Sequence, residues 1–228
     1  MNNRKSFVFR ERYSNTYSDN YNEIFIFNKK IEGERKTYLN GKLLTINNYI
    51  DNVQNGEYKQ FSENGQLRQI FNYKNGKTNG IFRMYYDNAQ LAIICNYKNG
   101  KKEGEYKEYY SNGQLLETCN YKDDKKNEEY KKYYKNGQLL ETCNYKDDKK
   151  NREYRKYYEN GQLKEICNYI DNKKYGEYRK YYENGQLGEI CFYIDNEPIK
   201  YLDTILKIKF YIEYSIMKII AKINNIIY

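Results

Sequence analysis

GEYKEYYSNGQLLETCNYKDDKKN, residues 104–127, is followed from Glu128 by EEYKKYYKNGQLLETCNYKDDKKN and from Arg152 by REYRKYYENGQLKEICNYIDNKKY. Outward from this stretch, the leucine of the Asn-Gly-Gln-Leu element recurs at Leu67, Leu91, Leu115, Leu139, Leu163 and Leu187, always 24 residues apart. Leu43, in the looser Asn40-Gly41-Lys42-Leu43, lies another 24 back. A fixed period of this size marks one supersecondary unit repeated and stacked. Seven units run from Gly33 to 55, 79, 103, 127, 151, 175 and about 197, the first one residue short. Residues 1–32 read as a degenerate capping repeat: Tyr17-Ser18-Asp19-Asn20 stands where later units turn, and Ile24–Asn28 where they have a second strand.

Within a unit the pattern is that of a β-hairpin. Tyr106, Lys107, Tyr109 and Tyr110 lie in a proline-free, β-tolerant segment. Ser111-Asn112-Gly113-Gln114 follows, and Asn-Gly predicts a tight turn with both residues at positive φ. From Leu115 to Tyr121 the chain alternates, with Leu115, Glu117, Cys119 and Tyr121 on one face and Leu116, Thr118 and Asn120 on the other. A polar linker, Lys122–Asn127, leads to the next unit. The expected fold is all-β: an elongated, single-layer antiparallel meander of repeated hairpins over 33–197, closed by a C-terminal amphipathic α-helix over 198–228.

Composition narrows the function. Hydrophobic residues are 39% of the chain and 31 residues are Tyr, so the core is expected to be thin and filled with rings. The formal net charge of +9 comes from 40 basic and 31 acidic residues, interleaved as on a solvated surface, and no nucleic-acid partner is expected. No stretch approaches 18 uninterrupted apolar residues and the N-terminus has no secretory pattern, so the expected location is intracellular and cytoplasmic, with a membrane-peripheral variant considered below. With no His anywhere, Ser-His, Cys-His and His-metal chemistry is excluded. The acidic pairs Asp123-Asp124 and Asp147-Asp148 recur with the repeat, unlike a single catalytic pair in a cleft. No enzyme, cofactor or metal is expected.

The run G-x-Y-x-x-Y-Y-x-N-G-Q-L, followed by a strand and Tyr-Lys-Asn-Gly-Lys, resembles the MORN repeat family, in the variant form found in bacterial antitoxin-like and large-virus repeat proteins. The resemblance covers about 33–197; the leading Gly is replaced by Glu128 and Arg152, and the turn Gly by Ala89. It implies an extended sheet of hairpins acting as a scaffold or binding surface, without catalytic residues of its own. An antitoxin-like, toxin-binding role is implied by those relatives alone.

The periodic side chains are the candidate sites. Cys95, Cys119, Cys143, Cys167 and Cys191 recur every 24 residues. Equivalent positions two strands apart are separated by about 9.5 Å, beyond the ~7 Å reach of a disulfide, so a column of small buried side chains is expected. Tyrosine columns run through Tyr106 and its equivalents, through Tyr85, Tyr109, Tyr133, Tyr157 and Tyr181, and through Tyr110 and its equivalents. Tyr109 and Tyr110 are adjacent on a strand and must face opposite ways. Glu105, Glu129, Glu153 and Glu177 precede Lys107, Lys131, Arg155 and Arg179 by two residues, which sets parallel acidic and basic stripes on one face. The candidate partner-binding surface is Tyr85, Tyr109, Tyr133, Tyr157 and Tyr181 with Lys107, Lys131, Arg155 and Arg179. In the tail, Leu202, Leu206, Ile216 and Ile220 keep helical spacing opposite Lys207, Lys218 and Lys222. This helix either caps the last hairpin or lies on an anionic membrane. The expected function is a non-enzymatic scaffold that binds another protein through its Tyr/Lys/Glu surface, with a peripheral membrane adaptor as the alternative.

Overall fold

Each 24-residue repeat becomes two strands, the tyrosine-rich half running out and the Leu-to-Tyr half returning. The computed structural model describes residues 7–12, 21–27, 30–199, 209, 212–217 and 220. They fall into two units, Met1–Gln138 and Leu139–Tyr228, and the same hairpin builds both. In the first, Lys101–Tyr109 pairs with Leu115–Lys122, Tyr106 opposite Cys119 and Glu108 opposite Glu117. In the second, Lys149–Tyr157 pairs with Leu163–Ile170 in the same register, Tyr154 opposite Cys167. Each return strand then pairs antiparallel with the outgoing strand of the next repeat: Cys119 lies opposite Tyr130, and Ile166 opposite Arg179. Sequence neighbours are therefore sheet neighbours, and each unit is an all-β, single-layer antiparallel meander. Phe7–Arg12 and Tyr21–Phe27 extend the first unit, the latter pairing with Gly33–Leu39. The turn assigned to Tyr17–Asn20 lies outside the described residues.

The two turns of a repeat divide their chemistry differently from the sequence expectation. At Asn112-Gly113 only the glycine has positive φ, +85°. The Gly113 N–H donates to the Tyr110 carbonyl and the Tyr110 N–H to the Gln114 carbonyl, which is a three-residue loop with Gly in the left-handed position of a bulge. Asn112 serves through its side chain: Oδ1 accepts the Gln114 N–H at 3.1 Å, an Asx turn. The two-residue turn with both φ positive is instead in the linker, at Asp123 (+51°) and Asp124 (+69°), where Lys122 pairs with Lys125. The first repeat explains its own missing residue. There Leu39 pairs with Lys42 across Asn40 (+51°) and Gly41 (+73°), a two-residue turn in place of the three-residue loop.

The second turn also stitches repeats together. Asp124 Oδ1 accepts the Lys102 N–H at 2.6 Å while its own N–H donates to the Lys102 carbonyl at 3.1 Å. Asn172 does the same to Lys150. Between the turns each outgoing strand carries a bulge with positive φ, at Gly104 (+82°) and Gly176 (+84°) but also at Glu128 (+66°) and Arg152 (+69°). The backbone keeps its bend where the glycine has been replaced.

The core is thin and one-sided. Tyr106, Tyr130, Tyr154 and Tyr178 are buried, as are Cys95, Cys119, Cys143 and Cys167. In the earlier repeats Phe71 and Asn47 fill the cysteine position, Phe71 against Tyr58 at 4.6 Å and Phe82 at 5.5 Å between ring centroids. In the tail, 212–217 is helical. Among the described residues of this segment Tyr214 is turned toward the sheet: its ring lies where a Cβ on Gly176 would sit 3.7 Å away. Ile212, Ile216, Met217 and Ile220 are 40–55% exposed. Leu202, Leu206, Lys207, Lys218 and Lys222 lie outside the described residues.

Candidate interaction surface

Strand alternation gives the sheet two unlike faces. On one, Glu105, Lys107 and Tyr109 stand at every second position, and each acid pairs with the base two residues on. Glu105–Lys107 is 2.7 Å, Glu129–Lys131 2.8 Å and Glu153–Arg155 2.9 Å, and Glu177 pairs with Arg179. The hydrogen bond to Glu105 holds the Lys107 ammonium above its usual range, and Glu129 does so for Lys131. Arg179 is raised by its bond to Glu177 and then by one to Tyr181. Tyr85, Tyr109 and Tyr133 in the first unit, and Tyr157 and Tyr181 in the second, are half-buried. The face is thus a series of acid–base–phenol rows, each near neutral, with rings partly open to solvent. Exposed ion pairs of this kind contribute about 0–1 kcal/mol each, so a partner can rearrange them at little cost.

The opposite face carries the buried tyrosines and cysteines, and it contains charge that the sequence reading left in the linker. Lys102 Nζ lies 5.1 Å and 4.9 Å from the centroids of Tyr106 and Tyr121, whose rings meet edge-on at 5.5 Å. Lys126 sits over Tyr130 at 4.6 Å, and Lys150 and Lys174 over Tyr154 and Tyr178 at 4.4 Å and 4.6 Å. Tyr130 donates its hydroxyl to Glu117 (2.9 Å), Tyr154 to Glu141 (2.8 Å) and Tyr178 to Glu165 (3.2 Å). Tyr106 uses Glu108 instead, at 2.8 Å, because the repeat before it has Ile93 in the acid's place. Each ring is therefore held from above by a cation and at its hydroxyl by a carboxylate. The signal was present in the sequence: Lys102, Lys126, Lys150 and Lys174 enter the array with Glu117, Glu141, Glu165 and Glu189, where earlier repeats have Gln54 and Thr78 with Gln69 and Ile93.

The cysteines offer no reactive thiolate. Burial pushes Cys119 and Cys167 up to about 11, and raises Cys95. Among the described residues no group of His, Cys, Asp or Glu is placed to hold a metal ion, and no helix is long and apolar enough to cross a membrane. The third tyrosine column belongs to neither face as a binding element. Tyr86 donates to the carbonyl of Tyr109 at 2.6 Å, Tyr110 to that of Tyr133 at 2.9 Å and Tyr158 to that of Tyr181 at 2.9 Å, each tying one repeat to the next.

A hairpin repeated in register, one packed face, one ion-paired face and turn side chains bonded to the neighbouring backbone define a β-repeat protein of the stacked type. The model of the MORN repeat variant matches residues 54–75, 78–99, 102–123, 129–147, 153–171 and 174–195, together more than half of the chain. The chain belongs to the MORN repeat family. That family is a non-catalytic one, and its repeats are protein- or membrane-binding modules. Comparison with curated proteins finds no match.

Proposed function

We propose that the chain is a non-enzymatic scaffold that works inside the cell and binds another protein through its ion-paired face. The observation that carries this reading is the repeated acid–base–phenol row, with Tyr109 and Tyr133 in one unit and Tyr157 and Tyr181 in the other half-open beside Lys107, Lys131, Arg155 and Arg179. Tyrosine gives large contact area at small conformational cost, and arginine and tyrosine concentrate binding energy at interfaces. The near-neutral rows favour a protein over a polyanion. The test is affinity capture from the native cell lysate with the full chain and with Tyr109→Ala/Tyr157→Ala, both checked by circular dichroism. A stoichiometric protein held by the first and lost by the second is expected; equal retention by both refutes the face.

A second reading, the peripheral membrane adaptor, draws on the exposed Ile212, Ile216, Met217 and Ile220 beside the exposed Lys209. Flotation with vesicles containing phosphatidylserine separates the two. Binding abolished by Ile216→Asp/Ile220→Asp favours the membrane, and absence of flotation leaves the protein scaffold.

A further inference from the structure

The last repeat has the parts that, in earlier repeats, hold the strand that follows. Tyr158 donates to the carbonyl of Tyr181, and Asn160 Nδ2 to that of Glu183 at 3.3 Å. One repeat on, the same positions are Tyr182 and Asn184, and among the described residues neither side chain has a following carbonyl to reach. The return strand Leu187–Ile194 pairs on its outer side with Glu197–Ile199, at Phe192, Tyr193 and Ile194. From Leu187 to Cys191 that edge has no strand partner among the described residues. Tyr182, Leu187 and Ile190 are 60%, 52% and 52% exposed, whereas Tyr158, Leu163 and Ile166 are half-buried. A pocket of about 100 Å³ opens here, lined by Lys180, Tyr181, Tyr182, Gly188 and Glu189. Gly188 permits it: a Cβ there would come within 2.9 Å of the Tyr182 ring.

We propose that this strand edge, which meets the ion-paired face at Tyr181, is a second binding site, which accepts an extended segment of a partner protein as an added antiparallel strand. The segment it fits is basic and aromatic, of the pattern Tyr-basic-Lys-Tyr. Backbone hydrogen bonds supply affinity in such strand addition, and alternate side chains supply the choice of sequence. The preceding repeat shows which choice. Against its return strand, Lys180 stands opposite Glu165 and Arg179 opposite Ile166, and Tyr178 gives its hydroxyl to Glu165. Carried forward one repeat, Glu189 calls for a lysine and a tyrosine hydroxyl, and Ile190 for the stem of a basic residue. A second copy of the chain is a poor donor of such a strand. Its own examples, such as Lys101–Tyr109 and Lys173–Tyr181, are already paired along both edges.

The test uses the full chain and a fluorescein-labelled peptide GEYRKYYENG, the sequence of residues 176–185, followed by fluorescence anisotropy. Saturable one-to-one binding is expected. It weakens with Glu189→Gln, falls at least about tenfold with Glu189→Lys, and recovers for Glu189→Lys when the peptide is GEYEEYYENG. Thermal melts establish that each variant is folded. No saturable binding by the folded chain, or binding indifferent to Glu189, overturns the proposal. Self-association of the chain in sedimentation equilibrium, removed by Ile190→Lys, also overturns it by giving the edge to a second copy.

Discussion

Glu128 and Arg152 hold a backbone conformation that glycine holds in five of the seven repeats, and replacing them with glycine is expected to stabilise the protein. Their φ angles are +66° and +69°, against +82° at Gly104 and +84° at Gly176. A side chain in the left-handed region costs about 1–2 kcal/mol. Glycine gives back about 0.4–1 kcal/mol through the greater freedom of the unfolded chain. The net gain is therefore about 0.5–1 kcal/mol for Glu128→Gly, the same for Arg152→Gly, and roughly their sum for the pair if the sites are independent. Both side chains are exposed, so little contact is lost. The reverse change isolates the cause: a Cβ on Gly104 meets nothing within 4 Å, so Gly104→Ala should lose about 1 kcal/mol through backbone strain alone. Urea titration by circular dichroism reads these as shifts in midpoint at constant slope, and melting as about 2–4 °C per kcal/mol. If Glu128→Gly and Arg152→Gly leave the midpoint unchanged or lower it, the strain argument fails.

Lys126→Met should destabilise by on the order of 2 kcal/mol, because it removes the cation over Tyr130 and leaves Glu117, 15% exposed, without its base at 3.4 Å. Adding Glu117→Gln should restore most of the loss, and a double mutant no more stable than Lys126→Met refutes the coupling. Alkaline pH should also unfold the protein. Burial holds the protons of Cys119 and Cys167 to about 11 against an ordinary 9.0. Tyr106, Tyr154 and Tyr178 are raised by burial first and then by their carboxylate neighbours. The folded state binds these protons more tightly, so stability is full below pH 9 and falls through pH 9–11, with the tyrosines adding to the slope above pH 10. Melting temperature measured between pH 8 and 11 checks this, and a flat profile contradicts it.

The meander was legible because a 24-residue period and two-residue alternation are both properties of a linear string. The division of labour between turns was not. Asn112 looks like a residue chosen for positive φ, but its backbone is ordinary and its side chain does the work, on Gln114 within its own repeat and on the Lys135 carbonyl in the next. Asp123-Asp124, which looks like a solvated linker, is the tight turn. Because that turn is tight, the next strand already begins at Lys125 and carries Lys126 to the face where it covers Tyr130. Tyr110 lies just past the strand that ends at Tyr109, and no sequence pattern says that its hydroxyl ends on a backbone carbonyl two strands away. The ion pairs beside Tyr109 could be read, since both partners lie on one strand.

The joints between repeats have an evolutionary consequence. Tyr110 and Asn112 reach the carbonyls of Tyr133 and Lys135, and the Asp124 carboxylate accepts the N–H of Lys102. In each case a side chain grips main chain, which is the same whatever residue is there. These main-chain joints are blind to their neighbour's identity, so unequal recombination could insert or excise a whole repeat and leave each of them intact. The Tyr130–Glu117 type of contact would instead follow the side chains brought together. Residues 104–127 and 128–151, which differ at three of 24 positions, look like the product of such a copying event. Copy number can then drift in a lineage while the exposed rows diverge separately, which makes length and specificity heritable as independent traits.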